Sequence, residues 1–138
     1  MAINSKSKQS SAAAEAHAVL TLRMADAQQV LGPTLTTALE TQATLISQFM
    51  QAQGFWESDN TGEKIALMHS ELSEALEADR KNLEAEHIPG FTGVEEELAD
   101  VIIRILDFAG HHQLRLGEAL SAKIAYNLTR PFKHGKAY

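Results

Sequence analysis

The sequence predicts an all-α protein, a bundle of four to five helices, and three observations support this fold class. Apolar residues recur at three- and four-residue steps in successive segments, which is the period of an amphipathic helix. No segment shows the strict alternation of apolar and polar residues that is typical of a strand. The chain has 138 residues, of which 44% are hydrophobic, and this is enough for one domain with a buried core.

Two helices are predicted ahead of the only tryptophan. The first dozen residues carry no apolar rhythm, and we expect them to be mobile. The first helix runs from about Ala12 to Leu31 and the second from about Thr36 to Gln53. Gly32-Pro33 separates them, because proline lacks an amide hydrogen and restricts the residue before it.

Three more helices follow a loop that opens at Gly54. We expect Thr61 to be the N-cap of the third helix, and Pro131 to close the regular structure. The predicted bounds are about Gly62 to Glu84, Val94 to about His111, and Leu116 to about Thr129.

Charge and composition exclude several classes of protein. Residues 61–110 hold twelve acidic and four basic side chains, whereas residues 111–138 hold one acidic and five basic ones. Such an acidic middle repels a nucleic-acid backbone, so we expect no nucleic-acid partner. There are no cysteines, no apolar run of membrane-spanning length and no apolar core of a signal peptide. We therefore expect a cytoplasmic protein without membrane association.

The fourth predicted helix carries one narrow charged stripe on a mostly apolar surface. At about 100° per residue, the stripe consists of Glu97, Asp100, Arg104 and Asp107. A helix that is apolar nearly all round is expected to be buried. Burying carboxylates costs several kcal/mol unless a partner compensates them, and Arg104 can offset only one. The stripe therefore predicts a cation.

The third predicted helix carries a matching pair, Glu71 and Glu74, beside an apolar arc. Two antiparallel helices that each carry acids three residues apart can bring four carboxylates around one point. Oxygen ligands favour a hard cation, magnesium or manganese, over zinc or copper.

Other acids in these helices are expected to lie on solvated faces: Glu77, Glu84, Glu95 and Glu96. The histidines form no spaced cluster, and His69, His111 and His112 are expected to be surface or boundary residues.

The order and spacing of these acids resemble a known family. Glu71-Leu-Ser-Glu74 is followed after 22 residues by Glu97-Leu-Ala-Asp100, within the segments SELSEALEADR, EELADVIIRILD and KIAYNLTRPFKHGK. This pattern is similar to the paired Glu-x-x-Glu and Glu-x-x-Asp motif of MazG-like all-α nucleotide pyrophosphohydrolases, which include dimeric dUTPases and dCTP pyrophosphatases. The likeness covers about residues 36–138. We accordingly divide the chain into an N-terminal segment with an accessory helix, 1–33, and a MazG-like domain, 34–138.

The resemblance implies an activity and an assembly. The activity is magnesium-dependent hydrolysis of a nucleoside triphosphate at its α–β phosphoanhydride, giving the monophosphate and pyrophosphate. Deoxy-pyrimidine triphosphates or modified nucleotides are the implied substrates, and a homodimer or homotetramer is the implied assembly. The four acids Glu71, Glu74, Glu97 and Asp100 would hold Mg²⁺, with Mn²⁺ as a substitute. Glu71 or Glu74 would activate water.

Further substrate contacts are expected from the last helix, from the residues after Pro131, and from the loop that opens at Gly54 and carries Trp56, which we call the tryptophan loop. Lys123, Asn127 and Arg130 share one helix face, and the resemblance implies that they contact phosphate or sugar. Lys136 and His134 would fold over the substrate. Trp56 would stack on a base, and Asp107 would be a further ligand or a partner of Arg104.

Two alternatives of other classes remain open. One is a di-iron carboxylate bundle, which needs two Glu-x-x-His motifs, whereas the sequence offers only Glu84-x-x-His87. The other is a non-catalytic metal-binding helical partner or scaffold, which leaves the charged stripe on an apolar helix unexplained. No Walker-type glycine-rich loop is present, so metal rather than backbone amides would have to cradle the phosphates.

Overall fold

The computed structural model of the protein describes residues 3–131 and the side chains of residues 12–131. The described residues form four helices: α1 (Ile3–Ala52), α2 (Thr61–Lys81), α3 (Gly93–His111) and α4 (Leu116–Leu128). They contain no strand, so the prediction of an all-α fold is confirmed. In residues 3–131, none of the helices combines the length and the hydropathy needed to cross a membrane. The predicted contacts His134 and Lys136 lie outside the described residues.

The predicted break at Gly32-Pro33 is wrong, because α1 continues through it as one helix. Proline removes one amide donor from the helical ladder. Just beyond it, Thr36 contacts α4: its hydroxyl donates to the carbonyl of Gly117 at 3.3 Å and lies 3.1 Å from the hydroxyl of Ser121. A Cβ on Gly117 would fall 2.8 Å from the Thr36 carbonyl, so glycine permits this approach. The contact of α1 with α4 after the proline thus outweighs the low helix propensity of Pro33.

The chain divides into two compact units by its contacts. One unit is Leu39–Arg115, and the other combines the described residues up to Ala38 with those from Leu116 onward. The first of these units holds the end of α1, all of α2 and α3, and every acid of the predicted metal site.

The ends of α2 differ from the prediction by a few residues. Asn60, not Thr61, is the N-cap, because its side chain accepts the amide of Glu63 at 3.2 Å. The helix ends at Lys81 rather than Glu84, since Asn82 adopts a left-handed conformation with φ of 50°. Glu84 instead pairs with Thr92 in an isolated antiparallel bridge. The Glu84-x-x-His87 sequence therefore lies in a loop, where it cannot present both ligands from one helix face.

Helices α2 and α3 pack as an antiparallel hairpin. Ala78 lies against Gly93 at the closed end, where a Cβ on Gly93 would come within 3.0 Å of the Ala78 Cβ. Towards the open end, Glu71 meets Arg104. Helix α3 begins with a reciprocal capping box, in which Thr92 and Glu95 bind each other's backbone amides. This antiparallel register brings Glu71 opposite the charged stripe of α3.

The expectation that α3 is buried nearly all round is wrong for this chain. Val101, Leu106 and Ala109 are buried, but Leu98 is 44% exposed and Ile102 is 55% exposed. Helix α2 likewise exposes an apolar row two to three turns long, Ile65, Leu72 and Leu76. Each helix therefore retains an apolar row that is open to solvent.

Candidate functional site

Three of the four predicted metal ligands converge in the hairpin. Glu71 of α2 and Glu97 and Asp100 of α3 each place a carboxylate oxygen within 4.8 Å of the others. Glu71 is buried, with only 5% of its surface exposed. We call these three residues the acidic cluster. Glu74, the fourth predicted ligand, is exposed and lies outside this cluster, but its charge acts on Glu97.

Arg104 holds Glu71 in place from one turn beyond Asp100. Its Nε donates to Glu71 Oε1 at 2.6 Å, and one of its terminal guanidinium nitrogens lies 2.5 Å from the same oxygen. Such a charge-assisted contact fixes the carboxylate and neutralises one negative charge. Among the described residues, Glu97 and Asp100 have no comparable ion pair, although the charge of Arg104 also acts on Asp100.

The remaining charges raise the pKa values of both α3 acids. Burial is the largest cause for Glu97, followed by a hydrogen bond with the Glu71 carboxyl and the charges of Glu74, Glu71 and Asp100; together they raise its pKa above the ordinary 4.5. Burial and the charge of Glu71 also raise the pKa of Asp100, against the opposing effect of Arg104. Oxygen donors whose negative charges outnumber the one neighbouring guanidinium fit a hard divalent cation.

These shifts predict how stability depends on pH in the absence of metal. Because the folded pKa of Glu97 is raised, the folded chain binds more protons than the unfolded chain between pH 4.5 and that raised value. The free energy of unfolding should therefore fall as pH rises through this interval, with the loss complete above it. Urea unfolding with EDTA between pH 4.5 and pH 8 measures the slope, which Glu97→Gln should reduce. An equal slope in the variant would contradict the assignment.

A cavity of about 660 Å³ opens beside the acidic cluster. Its lining combines acids, bases and aromatic rings from the loop after α1 and from α2 and α3, including Trp56, Lys64, Asp100, Arg104, Asp107 and Phe108. The volume is within the range of small-molecule sites, and cationic and anionic groups share the wall. Asp100 is the member of the acidic cluster that lines the cavity, together with the cationic Lys64 and Arg104. Such a lining can hold a polyanion against the two cationic side chains, and the acidic cluster beside it would hold a cation.

Trp56 and Asp107 are brought together in a way that the sequence did not indicate. The indole Nε1 donates to Asp107 Oδ1 at 2.8 Å, and Asp107 is buried. His111 stacks on the indole with ring centroids 3.5 Å apart, and Lys64 Nζ lies 4.5 Å from the indole centroid. One face of Trp56 is therefore covered by a protein ring, and a base would have to displace Lys64 or stack elsewhere. Asp107 orients the indole rather than pairing with Arg104.

Glu96 anchors the loop between α2 and α3, which corrects its assignment to a solvated face. Its two carboxylate oxygens accept the amides of Glu86 at 2.7 Å and His87 at 3.0 Å. Burial alone would raise its pKa, but these two amides and His87 hold the pKa of Glu96 below the ordinary value. The loop needs this acceptor because its amides have no helical partner. Glu95, by contrast, is exposed and caps α3, and Glu77 is exposed and pairs with Lys81.

The predicted contacts of the last helix lie in the other unit. Lys123 and Asn127 are exposed on α4, and Arg130 follows its end in a half-buried position. Lys123 places its ammonium 5.0 Å from the ring centroid of Tyr126. Their contact with a substrate stays a prediction.

Lys64 is a cationic residue of the cavity that the sequence analysis did not single out. It donates to the carbonyl of Phe55 at 2.5 Å, which ties α2 to the tryptophan loop. A signal was present, because Lys64 precedes Glu71 by seven residues, or two helical turns, and therefore shares its face.

No protein-family profile, curated protein or solved structure matches this chain.

Proposed function

We propose that the protein is a magnesium-dependent nucleotide pyrophosphohydrolase that converts a nucleoside triphosphate to the monophosphate and pyrophosphate. The observation that carries this proposal is the convergence of Glu71, Glu97 and Asp100 beside a cavity that also presents Lys64 and Arg104. Three carboxylates beside one guanidinium leave a net negative charge that suits Mg²⁺, and two cationic side chains suit a phosphate chain. The resemblance to the MazG-like family, drawn from the motif alone, favours the same chemistry.

Each residue has a role in this proposal. Glu71, Glu97 and Asp100 would hold Mg²⁺, and Arg104 would keep Glu71 oriented. A divalent cation held there would offset phosphate charge and lower the pKa of a water. Glu74 is exposed and its charge acts on Glu97, and in this proposal it would accept a proton from that water. Lys64 and Arg104 would offset anionic oxygens as the phosphate chain enters.

The deciding experiment is a pyrophosphate-release assay across the ribo- and deoxyribonucleoside triphosphates. Release that requires Mg²⁺ and is lost both with EDTA and in Glu71→Gln supports the proposal and names the base. Running the reaction in H₂¹⁸O locates the attacked phosphorus, because the label enters either the monophosphate or the pyrophosphate. Folded protein that releases nothing with excess Mg²⁺, including from modified nucleotides, would instead favour the non-catalytic metal-binding protein.

We further propose that the chain assembles as a homodimer or homotetramer through the apolar rows of α2 and α3. Leu72, Leu76, Leu98 and Ile102 are each between 44% and 55% exposed, and burying them would be favourable. Sedimentation should give a mass that is a multiple of 15.1 kDa, and Ile102→Asp should lower it to that of one chain. Because Ile102 is exposed in the single chain, circular dichroism of the variant should not change. A wild-type mass of one chain would refute the assembly.

A further inference from the structure

A second cluster of metal-ligating side chains lies at the end of α3, apart from the acidic cluster. Asp59 of the tryptophan loop and the consecutive His111 and His112 each place one ligand atom within 4.8 Å of the others. Their chemistry differs from that of the acidic cluster, because two of the three ligands are imidazoles. Imidazole nitrogen suits zinc and its neighbours in the transition series rather than magnesium.

The distance between His112 and Asp59 fits a shared metal better than a hydrogen bond. His112 Nε2 lies 3.6 Å from Asp59 Oδ1, which is too long for a hydrogen bond between these atoms. Two ligands at zinc distances of about 2.0–2.1 Å and a tetrahedral angle are separated by roughly 3.4 Å. The observed separation therefore needs little change to accept the ion.

Two ring nitrogens at this cluster lack the partners that buried polar atoms normally have. His111 Nδ1 and His112 Nε2 are both shielded from solvent, and neither has a hydrogen-bond partner among the residues that the structure describes. A buried nitrogen without a partner is costly, and a ligand that accepts its lone pair removes that cost. The rings themselves are held by packing: His111 stacks on Trp56, and Phe108 lies 4.3 Å from the His112 ring.

From these observations we propose that Asp59, His111 and His112 form a zinc site. Three protein ligands leave one position for water, and the Asp59 side chain, 62% exposed, gives the ion a route of entry. The ion would join the loop that carries Phe55 and Trp56 to the end of α3. Since both aromatic residues line the cavity, zinc would fix one wall of it. This site does not depend on the hydrolase activity.

The test is zinc binding by the untagged protein, measured by titration against a chromophoric chelator. Wild type should bind one Zn²⁺ per chain, and Asp59→Asn and His112→Ala should each weaken binding more than about 100-fold. Loss of an outer-shell partner already costs 10–100-fold, and these residues are direct ligands. His69→Ala is the matched control, because His69 is exposed on α2 and should leave affinity unchanged. Asp59→Asn keeps the shape of the side chain, so its effect does not depend on refolding.

Cobalt provides an independent readout through Trp56, the only tryptophan in the sequence. Co²⁺ at His111 should quench Trp56 emission, because the imidazole stacks on the indole, and Zn²⁺ should reverse the quenching by competition. Zinc binding that persists in His112→Ala would overturn the proposal. So would binding lost in Glu97→Gln and Asp100→Asn but kept in Asp59→Asn, because the ion would then sit in the acidic cluster.

Discussion

Glu97→Gln is expected to lower magnesium-dependent turnover roughly 100- to 1000-fold while leaving the helices intact. Removal of one preorganised group that stabilises the charge of the transition state costs about this much, and Glu97 would do so by holding the cation. Glu97 is central to the acidic cluster, since it shares a hydrogen bond with Glu71 and feels the charges of Glu74 and Asp100. Glutamine keeps the shape and removes the charge, so the loss would be electrostatic.

The same substitution should change stability in the opposite direction to activity. Without metal, Glu97→Gln removes a repulsive charge, and the variant should be more stable than wild type at neutral pH. Magnesium at 100 times its dissociation constant should add about 2.7 kcal/mol to the free energy of unfolding of wild type and less to that of the variant. Glu77→Gln is the matched control, because Glu77 lies on the solvated face of α2 and pairs only with Lys81 among the described residues. Equal turnover in Glu97→Gln and Glu77→Gln would contradict a role of the acidic cluster in the reaction.

Gly110→Ala is expected to destabilise the fold by about 2 kcal/mol. A Cβ there would lie 2.1 Å from the carbonyl oxygen of Ala43 and 2.8 Å from the Cβ of Ser47, so α1 and α3 would have to separate. Overpacking costs about 1–3 kcal/mol, and a backbone obstacle places this case at the upper end. The better helix propensity of alanine returns only about 1 kcal/mol, so the clash dominates.

A second glycine supplies the control for that prediction. A Cβ on Gly62, in the first turn of α2, would meet only Asn60 Oδ1 at 3.5 Å, which is ordinary contact. Gly62→Ala should therefore leave stability unchanged or raise it by up to about 1 kcal/mol. Urea unfolding of both variants measures the difference. If Gly110→Ala were as stable as Gly62→Ala, α1 and α3 would not approach each other as closely as described.

The sequence predicted the α2–α3 hairpin and its charged faces because both depend on local periodicity. Acids three residues apart must share a helix face, and an antiparallel pair must bring such faces together, so Glu71, Glu97 and Asp100 could be anticipated. Whether a residue on the shared face joins the acidic cluster depends on its position along the helix. Glu74 lies one turn from Glu71 towards the closed end of the hairpin, and its side chain is exposed outside the acidic cluster.

Features that depend on tertiary contacts could not be predicted. Pro33 is a helix breaker by local rules, and only the contact of Thr36 with Gly117 and Ser121 shows why the helix survives it. Asp59 and His111 are far apart in sequence, and neither belongs to a periodic pattern that would bring them together. The indole bond to Asp107 also joins a loop to a helix 51 residues away, and loop conformation leaves no periodic signal.

The run Glu95-Glu96-Glu97 shows how much one residue of register determines. Successive side chains on a helix point about 100° apart. The three consecutive glutamates therefore contact the N-terminus of α3, the loop between α2 and α3, and the acidic cluster. Glu95 caps α3, Glu96 binds the loop amides, and Glu97 meets Glu71. A single-residue deletion just ahead of this run would leave three glutamates in the sequence. It would also rotate each of them by about 100°, so that none would keep its present contact. Sequence comparison of such a run is informative only when its alignment is correct to the residue.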